Sequence, residues 1–256
     1  MKKVLSFIAV VCFATPALAQ QQSYSKGWID VNFGVAASGA DEETFAWEGQ
    51  LFQEPFGLAA SYPKPSRGAE FDFGGGFMFN RRVGVGISFT GTAHEDTAGL
   101  GISVPHPNFF NAAATASGVT NDKLARTESG VNIHVMIAAM TTDRVTVRFF
   151  GGPTYYRLKA DMVEDIDFSQ FAPFNNRTNL VEVTGYNAVE AEGTGIGFHV
   201  GGDVSWFFTR VVGIGGFARF GGGNVELDPE PMSEQTQDVK VGGFQLGGGL
   251  RLRFGR

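Results

Sequence analysis

From Gly27 to the last residues of the chain, apolar residues alternate with small or polar residues in eight separate runs. Successive side chains of a β-strand point to opposite faces, so each run predicts a strand with one apolar face and one polar or small face. One face of the first run carries Ile29, Val31, Phe33 and Val35. The opposite face carries Asp30, Asn32 and Gly34. The other runs start near residues 70, 83, 131, 145, 196, 212 and 244, which predicts an all-β chain of eight strands.

Two of the runs lose the alternation locally. The fifth run blurs around Pro153, and proline cannot donate to a strand ladder, so a bulge or a register change is expected there. In the last run, Val239 and Val241 fall on the otherwise polar face, which predicts a bulge near Gly242 and Gly243.

The connections between the runs alternate in length. Three are tight turns, near 80–82, 141–144 and 209–210. The four long connections lie near 40–67, 95–127, 165–192 and 228–237. Outer-membrane barrels have an even number of antiparallel strands, short periplasmic turns and long extracellular loops. The spacing therefore predicts a closed, eight-stranded, antiparallel up-and-down barrel with both chain ends in the periplasm.

The charges on the polar faces decide which face is turned inward. These faces carry Asp30, Glu70, Asp72, Arg148, Asp203, Arg219, Arg251 and Arg253. Four acids and four arginines are too polar for contact with lipid, so the apolar face is predicted to face the membrane and the charges to form a neutralised interior network. In the closed barrel the last strand pairs with the first, which brings Arg251 or Arg253 near Asp30 at the periplasmic end. Asp72, Asp203 and Arg219 are expected nearer mid-height.

Aromatic residues of the apolar face cluster near the tight turns. The candidates for a periplasmic aromatic girdle are Phe79, Trp206, Phe208 and Phe254. Ordinary lipid packing is the alternative interpretation of each. Eight strands enclose an interior that side chains fill, whereas water-filled porins have about sixteen strands, so a general diffusion pore is not expected.

The first twenty residues, MKKVLSFIAVVCFATPALAQ, have the features of a secretory signal. Lys2 and Lys3 precede an apolar run that is too short to span a bilayer, and small residues at Ala17 and Ala19 fit a cleavage site. We expect residues 1–19 to be removed, leaving 20–256 as a single barrel domain. The one cysteine, Cys12, is lost with them. The mature chain keeps 18 basic and 26 acidic residues, a formal charge of −8, which disfavours nucleic acid as a partner.

With its strand pattern, its loop order and its terminal strand GGGLRLRF, the chain resembles the eight-stranded outer-membrane barrels of the OmpA transmembrane domain, OmpX and OmpW kind. The resemblance implies an integral outer-membrane location in contact with lipid and lipopolysaccharide. It also implies periplasmic chaperones and the barrel-assembly machinery as partners during biogenesis. The chain departs from the pattern at its end, where Gly255 and Arg256 follow the aromatic Phe254.

The sequence offers little catalytic chemistry. Of the four histidines, His94 and His106 fall near or in the long loops and His134 and His199 face inward, and none forms the H-x-S pattern of lipid A deacylases. A metal site built on His199, Asp203 and His134 is imaginable, but an interior polar network explains these residues better. We therefore predict no catalytic, cofactor-binding or metal-binding residues.

Acidic residues are frequent in the long connections. They include Asp41, Glu42, Glu43, Glu48, Glu182, Glu190, Glu192, Glu226, Asp228, Glu230 and Glu234. A solvated, mutually repulsive rim is the simpler interpretation. The alternative is that the carboxylates bind Ca²⁺ or Mg²⁺ and so bridge to lipopolysaccharide phosphates.

The function expected from this sequence is structural or interactive. The leading hypothesis is an envelope-structural or surface-interaction role through the extracellular loops, with an extracellular ligand that the sequence does not specify. A narrow channel or small apolar-solute conduit of the OmpW kind is the second hypothesis, and a lipid A modifying enzyme is the third.

Overall fold

The computed structural model describes residues 25–51, 53–171, 180–227 and 237–255 and contains twelve β-strands. The first six are β1 (Gly27–Ser38), β2 (Glu43–Leu51), β3 (Glu54–Tyr62), β4 (Arg67–Met78), β5 (Val83–Asp96) and β6 (Gly99–Pro105). The last six are β7 (Ala113–Val119), β8 (Leu124–Thr141), β9 (Val145–Phe171), β10 (Leu180–Phe207), β11 (Val212–Leu227) and β12 (Gln237–Phe254). No helix in the described part of the chain is long and apolar enough to span a membrane.

Eight of the strands form one antiparallel sheet that closes into a barrel, in the order β1, β4, β5, β8, β9, β10, β11 and β12. The ring is closed by β1, which pairs with β4 on one side and β12 on the other. In the second of these pairs Asp30 lies opposite Arg251. The predicted all-β, antiparallel, eight-stranded ring is confirmed.

The expected irregularity at Pro153 in β9 is wrong. Pairing with β10 runs through it without a shift, from Gly152 opposite His199 to Thr154 opposite Gly197. The inward positions Thr154, Tyr156 and Leu158 are all buried. The alternation is blurred because the inner face becomes apolar and aromatic at this height. The register shifts of β9 lie elsewhere, opposite Ala138–Met140 of β8 and opposite Val183–Ala188 of β10.

The register of β12 is also regular where a bulge was expected. Val241 pairs with Gly223 and Gln245 with Arg219 in one continuous register with β11. Gly242 and Gly243 do have positive φ angles of 89° and 130°, where the chain of β1 leaves the barrel wall. Val239 and Val241 point inward like Gln245 but are buried in an apolar cluster, because the interior changes from charged to apolar toward this end.

A band of exposed apolar side chains surrounds the barrel. On β10 it covers eleven residues, from Ile196 (77% exposed) to Trp206 (48% exposed). Comparable outward rows lie on β5 and β12, at Val83, Val85, Ile87 and Phe89 and at Phe244, Leu246, Leu250 and Phe254. Charged side chains replace the apolar ones beyond Ile196, beginning with the exposed Glu192.

Three of the long connections contain strands. The connections predicted near 40–67 and 95–127 form a four-stranded sheet in the order β2, β3, β6 and β7, which we call the loop-end sheet. The connection predicted near 165–192 is mostly strand as well: pairing of β9 with β8 ends at Ala160, and β9 and β10 continue alone as a two-stranded ribbon. The fourth connection, near 228–237, falls almost wholly outside the described residues.

The loop-end sheet packs one face against the β9–β10 ribbon. Leu58, Leu100, Ile102 and Val104 of the sheet form one buried cluster with Val163 and Ile166 of the ribbon. These alternate positions explain why the hairpins fold back, since each buries an apolar face that would otherwise be exposed. The sheet and the ribbon together form what we call the loop-end body.

Candidate functional site

The barrel interior contains a charged layer centred on Asp203. Arg148 donates from Nε (2.9 Å) and Nη2 (2.7 Å) to Oδ1 of Asp203, and Arg251 donates from Nε (3.0 Å) and Nη2 (2.7 Å) to Oδ2. The Ser205 hydroxyl also donates to Oδ1, at 2.8 Å. Asp30 lies 3.3 Å from Arg148 and 3.4 Å from Arg251. Two guanidiniums thus bind one carboxylate on separate oxygens.

A second charged layer is built around Arg219. Its Nη2 donates to Oε1 of Glu70 (2.6 Å), its Nη1 to Oδ2 of Asp72 (2.9 Å) and its Nε to Oε1 of Gln245 (2.5 Å). Asn32 joins the two layers, because its Nδ2 donates to Asp72 (2.8 Å) while its Oδ1 accepts from Arg251. The charged interior is therefore one connected network.

The sequence identified most of this network but not all of it. Seven of the eight proposed residues lie in it, with four carboxylates and three guanidiniums. Asn32, Ser205 and Gln245 were not assigned to it, although their position on the polar face of their strands was a signal that could have found them. Neutral side chains are needed here to complete hydrogen bonds that the charges leave open.

Arg253, the eighth residue, lies elsewhere. Its guanidinium stacks 3.9 Å from the ring centre of Phe207 and donates to the backbone carbonyls of Arg210 (3.1 Å) and Asp143 (2.6 Å). Of the two arginines proposed to approach Asp30, Arg251 does so. Arg253 instead ties the last strand to two tight turns.

The proposed aromatic girdle residues lie at the tight-turn end. Phe79, Trp206, Phe208 and Phe254 are 60%, 48%, 52% and 52% exposed. Trp206 and Phe208 contact each other edge to face, with ring centres 5.8 Å apart. Their girdle role stays a prediction, and their placement gives the apolar band an aromatic lower border.

The four histidines contact backbone groups and neutral side chains. His94 Nδ1 lies 2.7 Å from the carbonyl oxygen of Ser66, and His106 Nδ1 accepts from the backbone N–H groups of Asn108 and Phe109. Inside the barrel, His199 Nδ1 lies 2.8 Å from the Thr154 hydroxyl, and its ring lies 5.5 Å from that of His134. The oxygens of Asp203 are bound by arginines, so the structure does not assemble the metal site considered for these residues.

Several acids at the loop end are paired with bases. Glu192 lies 2.5 Å from Arg157 and also contacts Lys159, which is 2.7 Å from Glu190. These bases lower the pKa of Glu192 to about 2. Lys240 lies 2.6 Å from Asp41 and lowers the pKa of that carboxyl. In the described ranges, no group of three or more His, Cys, Asp or Glu is arranged to hold a metal ion. Asp228, Glu230 and Glu234 lie outside those ranges.

Among the described residues, a cleft opens at each end of the barrel. The cleft at the loop end has a volume of about 570 Å³, and the one at the tight-turn end about 490 Å³. Trp28 lines the tight-turn cleft, and the charged network lies above it. Toward the loop end the interior is filled by Tyr156, Leu158 and Val225, which are capped by Phe45 of the loop-end sheet. Side chains therefore separate the two clefts.

No family model and no curated protein matches the chain. Among solved structures, it is similar to Ail, the attachment invasion locus protein of Yersinia pestis, which was solved in complex with the heparin analogue sucrose octasulfate. The identity is 14%, over 89% of this chain and 99% of that one, with a TM-score of 0.41. It is also similar to Neisserial surface protein A (11% identity, 91% and 100% covered, TM-score 0.44) and to the outer membrane protease OmpT from Escherichia coli (9%, 94% and 99%, 0.42).

Proposed function

We propose that the protein is an integral barrel of the bacterial outer membrane, with its tight turns in the periplasm and its loop end outside the cell. The apolar band supports this proposal, since eleven residues between Ile196 and Trp206 match the nine to eleven that a tilted strand needs to cross a bilayer. The paired charges of Arg157 and Glu192 begin beyond Ile196, at the level expected for lipid headgroups. Lipid and lipopolysaccharide surround this band, and chaperones and the barrel-assembly machinery deliver it.

Its role is to present the loop-end body for interaction at the cell surface. The observation that carries this proposal is the buried cluster joining Leu58, Leu100 and Ile102 to Val163 and Ile166. Loops that served only to connect strands would have no need of a core. A packed sheet and ribbon instead hold a defined surface outside the membrane, as binding loops on rigid scaffolds do.

The test removes the loop-end sheet while keeping the barrel and the β9–β10 ribbon. Residues 42–63 and 98–121 are each replaced by a short Asn-Gly-containing turn, and the variant is compared with the full chain on intact cells. The variant should insert and resist heat-induced unfolding in detergent like the full chain, yet lose binding in a glycan and host-matrix array. Asp143→Asn, in a tight turn on the opposite side, is the control and should bind normally. Equal binding by the variant without the sheet would refute the surface role.

The filled interior supports a non-conducting and non-enzymatic barrel. Tyr156 and Leu158 block the path between the clefts, and His94, His106 and His199 are hydrogen-bonded to backbone or neutral groups. Planar-bilayer recordings of the refolded protein should show no stable openings, and lipid A from expressing cells should keep its mass. Stable openings would favour the conduit hypothesis, and a changed lipid A mass would favour the enzyme hypothesis.

A further inference from the structure

The loop-end cleft lies between the barrel wall and the chain that folds over it. One side is formed by the ends of β5, β8 and β9, and the other by the segments 41–45 and 62–65. About 570 Å³ of space, part of it open to solvent, lies between the two sides. Small-molecule sites are mostly apolar with a few converging polar groups, and this cleft has that composition.

The apolar part of the cleft is formed by aromatic rings and prolines. Phe45 and Tyr62 contact each other edge to face, with ring centres 5.5 Å apart, and both line the cleft together with Pro63 and Pro65. The Tyr62 hydroxyl accepts a hydrogen bond from the backbone N–H of Val163, at 2.7 Å. Burial raises the pKa of Tyr62 to about 12, so the phenol stays neutral. These rings offer a fixed wall for the apolar body of a ligand.

The polar lining is strongly unbalanced in charge. Four carboxyl groups line the cleft, those of Asp41, Glu43, Asp96 and Asp161. Among the lining residues that the structure describes, the only permanently charged base is Arg126, and it is bound within the protein. Its guanidinium donates to Glu128 at 3.0 and 3.1 Å and to the carbonyl of Lys240 at 2.8 Å.

Of the four carboxyl groups, those of Glu43 and Asp161 are the best placed to bind a cation. Asp161 accepts the backbone N–H of Ala125 at 2.9 Å, and a carboxylate has about four acceptor positions, so it keeps room for a further donor. Burial raises the pKa of Glu43, because its charged form is poorly solvated. Arg126 and a backbone hydrogen bond from Lys240 offset this rise only in part, so a cation beside Glu43 would add favourable counter-charge. By contrast, Asp41 is already paired with Lys240.

We propose that this cleft binds a small organic cation, with its apolar or aromatic body against Phe45 and Tyr62 and its ammonium group between Glu43 and Asp161. Charge selects the ligand, and the aromatic wall adds cation–π attraction and apolar contact. This site is distinct from the outward surface of the loop-end body. It can bind a ligand whether or not that surface has a partner.

The test uses three probes of one size and shape, benzylamine, benzyl alcohol and benzoate, titrated calorimetrically into the full chain held in lipid nanodiscs at pH 7, with empty nanodiscs as the blank. Benzylamine should bind most tightly and benzoate least. Glu43→Gln and Asp161→Asn should each weaken benzylamine about tenfold, the size expected for a hydrogen bond to a charged group. Both variants keep an acceptor oxygen and the shape of the original side chain.

Glu48→Gln is the matched control, because Glu48 lies on the opposite face of the same strand as Glu43 and is exposed. It should leave benzylamine binding unchanged. Equal affinities for the three probes, or a preference for benzoate, would overturn the proposal. An equal loss on Glu48→Gln would also overturn it, since the effect would then come from surface charge alone.

Discussion

Arg251 reaches across the barrel interior to bind Asp203, donating from Nε at 3.0 Å and from Nη2 at 2.7 Å to the same carboxylate oxygen. The two residues belong to β12 and β10, which β11 separates. The bond therefore braces strands that share no backbone hydrogen bonds. Only 1% of the Arg251 side chain is exposed, so neither charge has water as an alternative partner.

Asp203→Asn should destabilise the barrel strongly. The substitution removes one carboxylate from two buried guanidiniums, and breaking a buried ion pair on one side costs about 3–5 kcal/mol. The free energy of unfolding, measured by guanidinium titration in detergent, should fall by this amount. Asp143→Asn, exposed in a tight turn, should change it by less than about 0.5 kcal/mol. Equal stability of both variants would contradict the network.

Arg219→Leu should lower the free energy of unfolding by a similar amount, and further substitutions should restore part of the lost stability. The single change leaves Glu70 and Asp72 buried without their guanidinium partner. Replacing all three residues by leucine removes the uncompensated charges, and such replacements of buried ion pairs are often neutral or stabilising. The triple variant should therefore unfold at a higher guanidinium concentration than Arg219→Leu. A triple variant less stable than the single one would show that the carboxylates have another role.

The two arginines near the chain end should behave differently. Arg251→Ala leaves Asp203 and Asp30 with only Arg148, so a loss of about 3 kcal/mol is expected. Arg253→Ala removes a stacking contact with Phe207 and two bonds to carbonyls at the barrel mouth, for a loss of about 1 kcal/mol. Unfolding titrations of both variants check the difference. Equal losses would show that Arg253 belongs to the interior network after all.

Glu192 should remain ionised far below the usual range of a glutamate. Its pKa is lowered from 4.5 to about 2 by hydrogen bonds from Arg157 and Lys159. A lowered carboxyl pKa stabilises the folded state fully above pH 4.5, and this contribution disappears as the pH falls toward 2. Carboxyl carbon NMR should give a midpoint near 2, and Arg157→Ala should raise it. A midpoint near 4.5 in the unmodified protein would show that the ion pairs of Glu192 with Arg157 and Lys159 are absent in solution.

The loop-end body should unfold independently of the barrel when its core is weakened. Ile102→Ala removes buried volume between the sheet and the ribbon, at a cost of about 2–5 kcal/mol. Hydrogen exchange should accelerate in β2, β3, β6 and β7, while the barrel strands keep their protection. Ser103→Ala, on the other face of β6, should leave exchange unchanged. Faster exchange throughout the barrel would mean that the body and the barrel unfold as one unit.

The alternation of the eight runs was sufficient to predict the barrel strands and their faces, because burial repeats every two residues along a strand. The loop-end sheet was not predicted. Its outward positions, such as Ala59, Gly101 and Ser117, are small residues that give a weak strand signal. Only the fold shows that the inward Leu58 and Ile102 have a partner in the ribbon.

The sequence predicted which charged residues lie in the interior, but it did not predict which of them contact each other. The alternation along each strand predicts that Asp203 and Arg251 lie on the inner face. Their contact also depends on how far a guanidinium reaches past the intervening strand. The change from a charged to an apolar interior was misinterpreted at Val239 and Val241 as a change of register. The odd or even position of a residue along its strand gives the direction in which its side chain points. Its neighbours across the barrel depend in addition on how the strands are ordered in the closed ring.

The apolar band is tested most directly by measuring the depth of single spin labels. Residues 20–256 contain no cysteine, so single cysteines are placed in this chain at Glu192, Ile196, Val200, Val204 and Asp143. Collision of the attached labels with oxygen and with a nickel chelate is measured in lipid vesicles. A membrane-spanning band should give high oxygen and low nickel accessibility from 196 to 204, with the greatest depth at 200, and free access of nickel to 192 and 143. Nickel access at all five positions would contradict a membrane-spanning barrel.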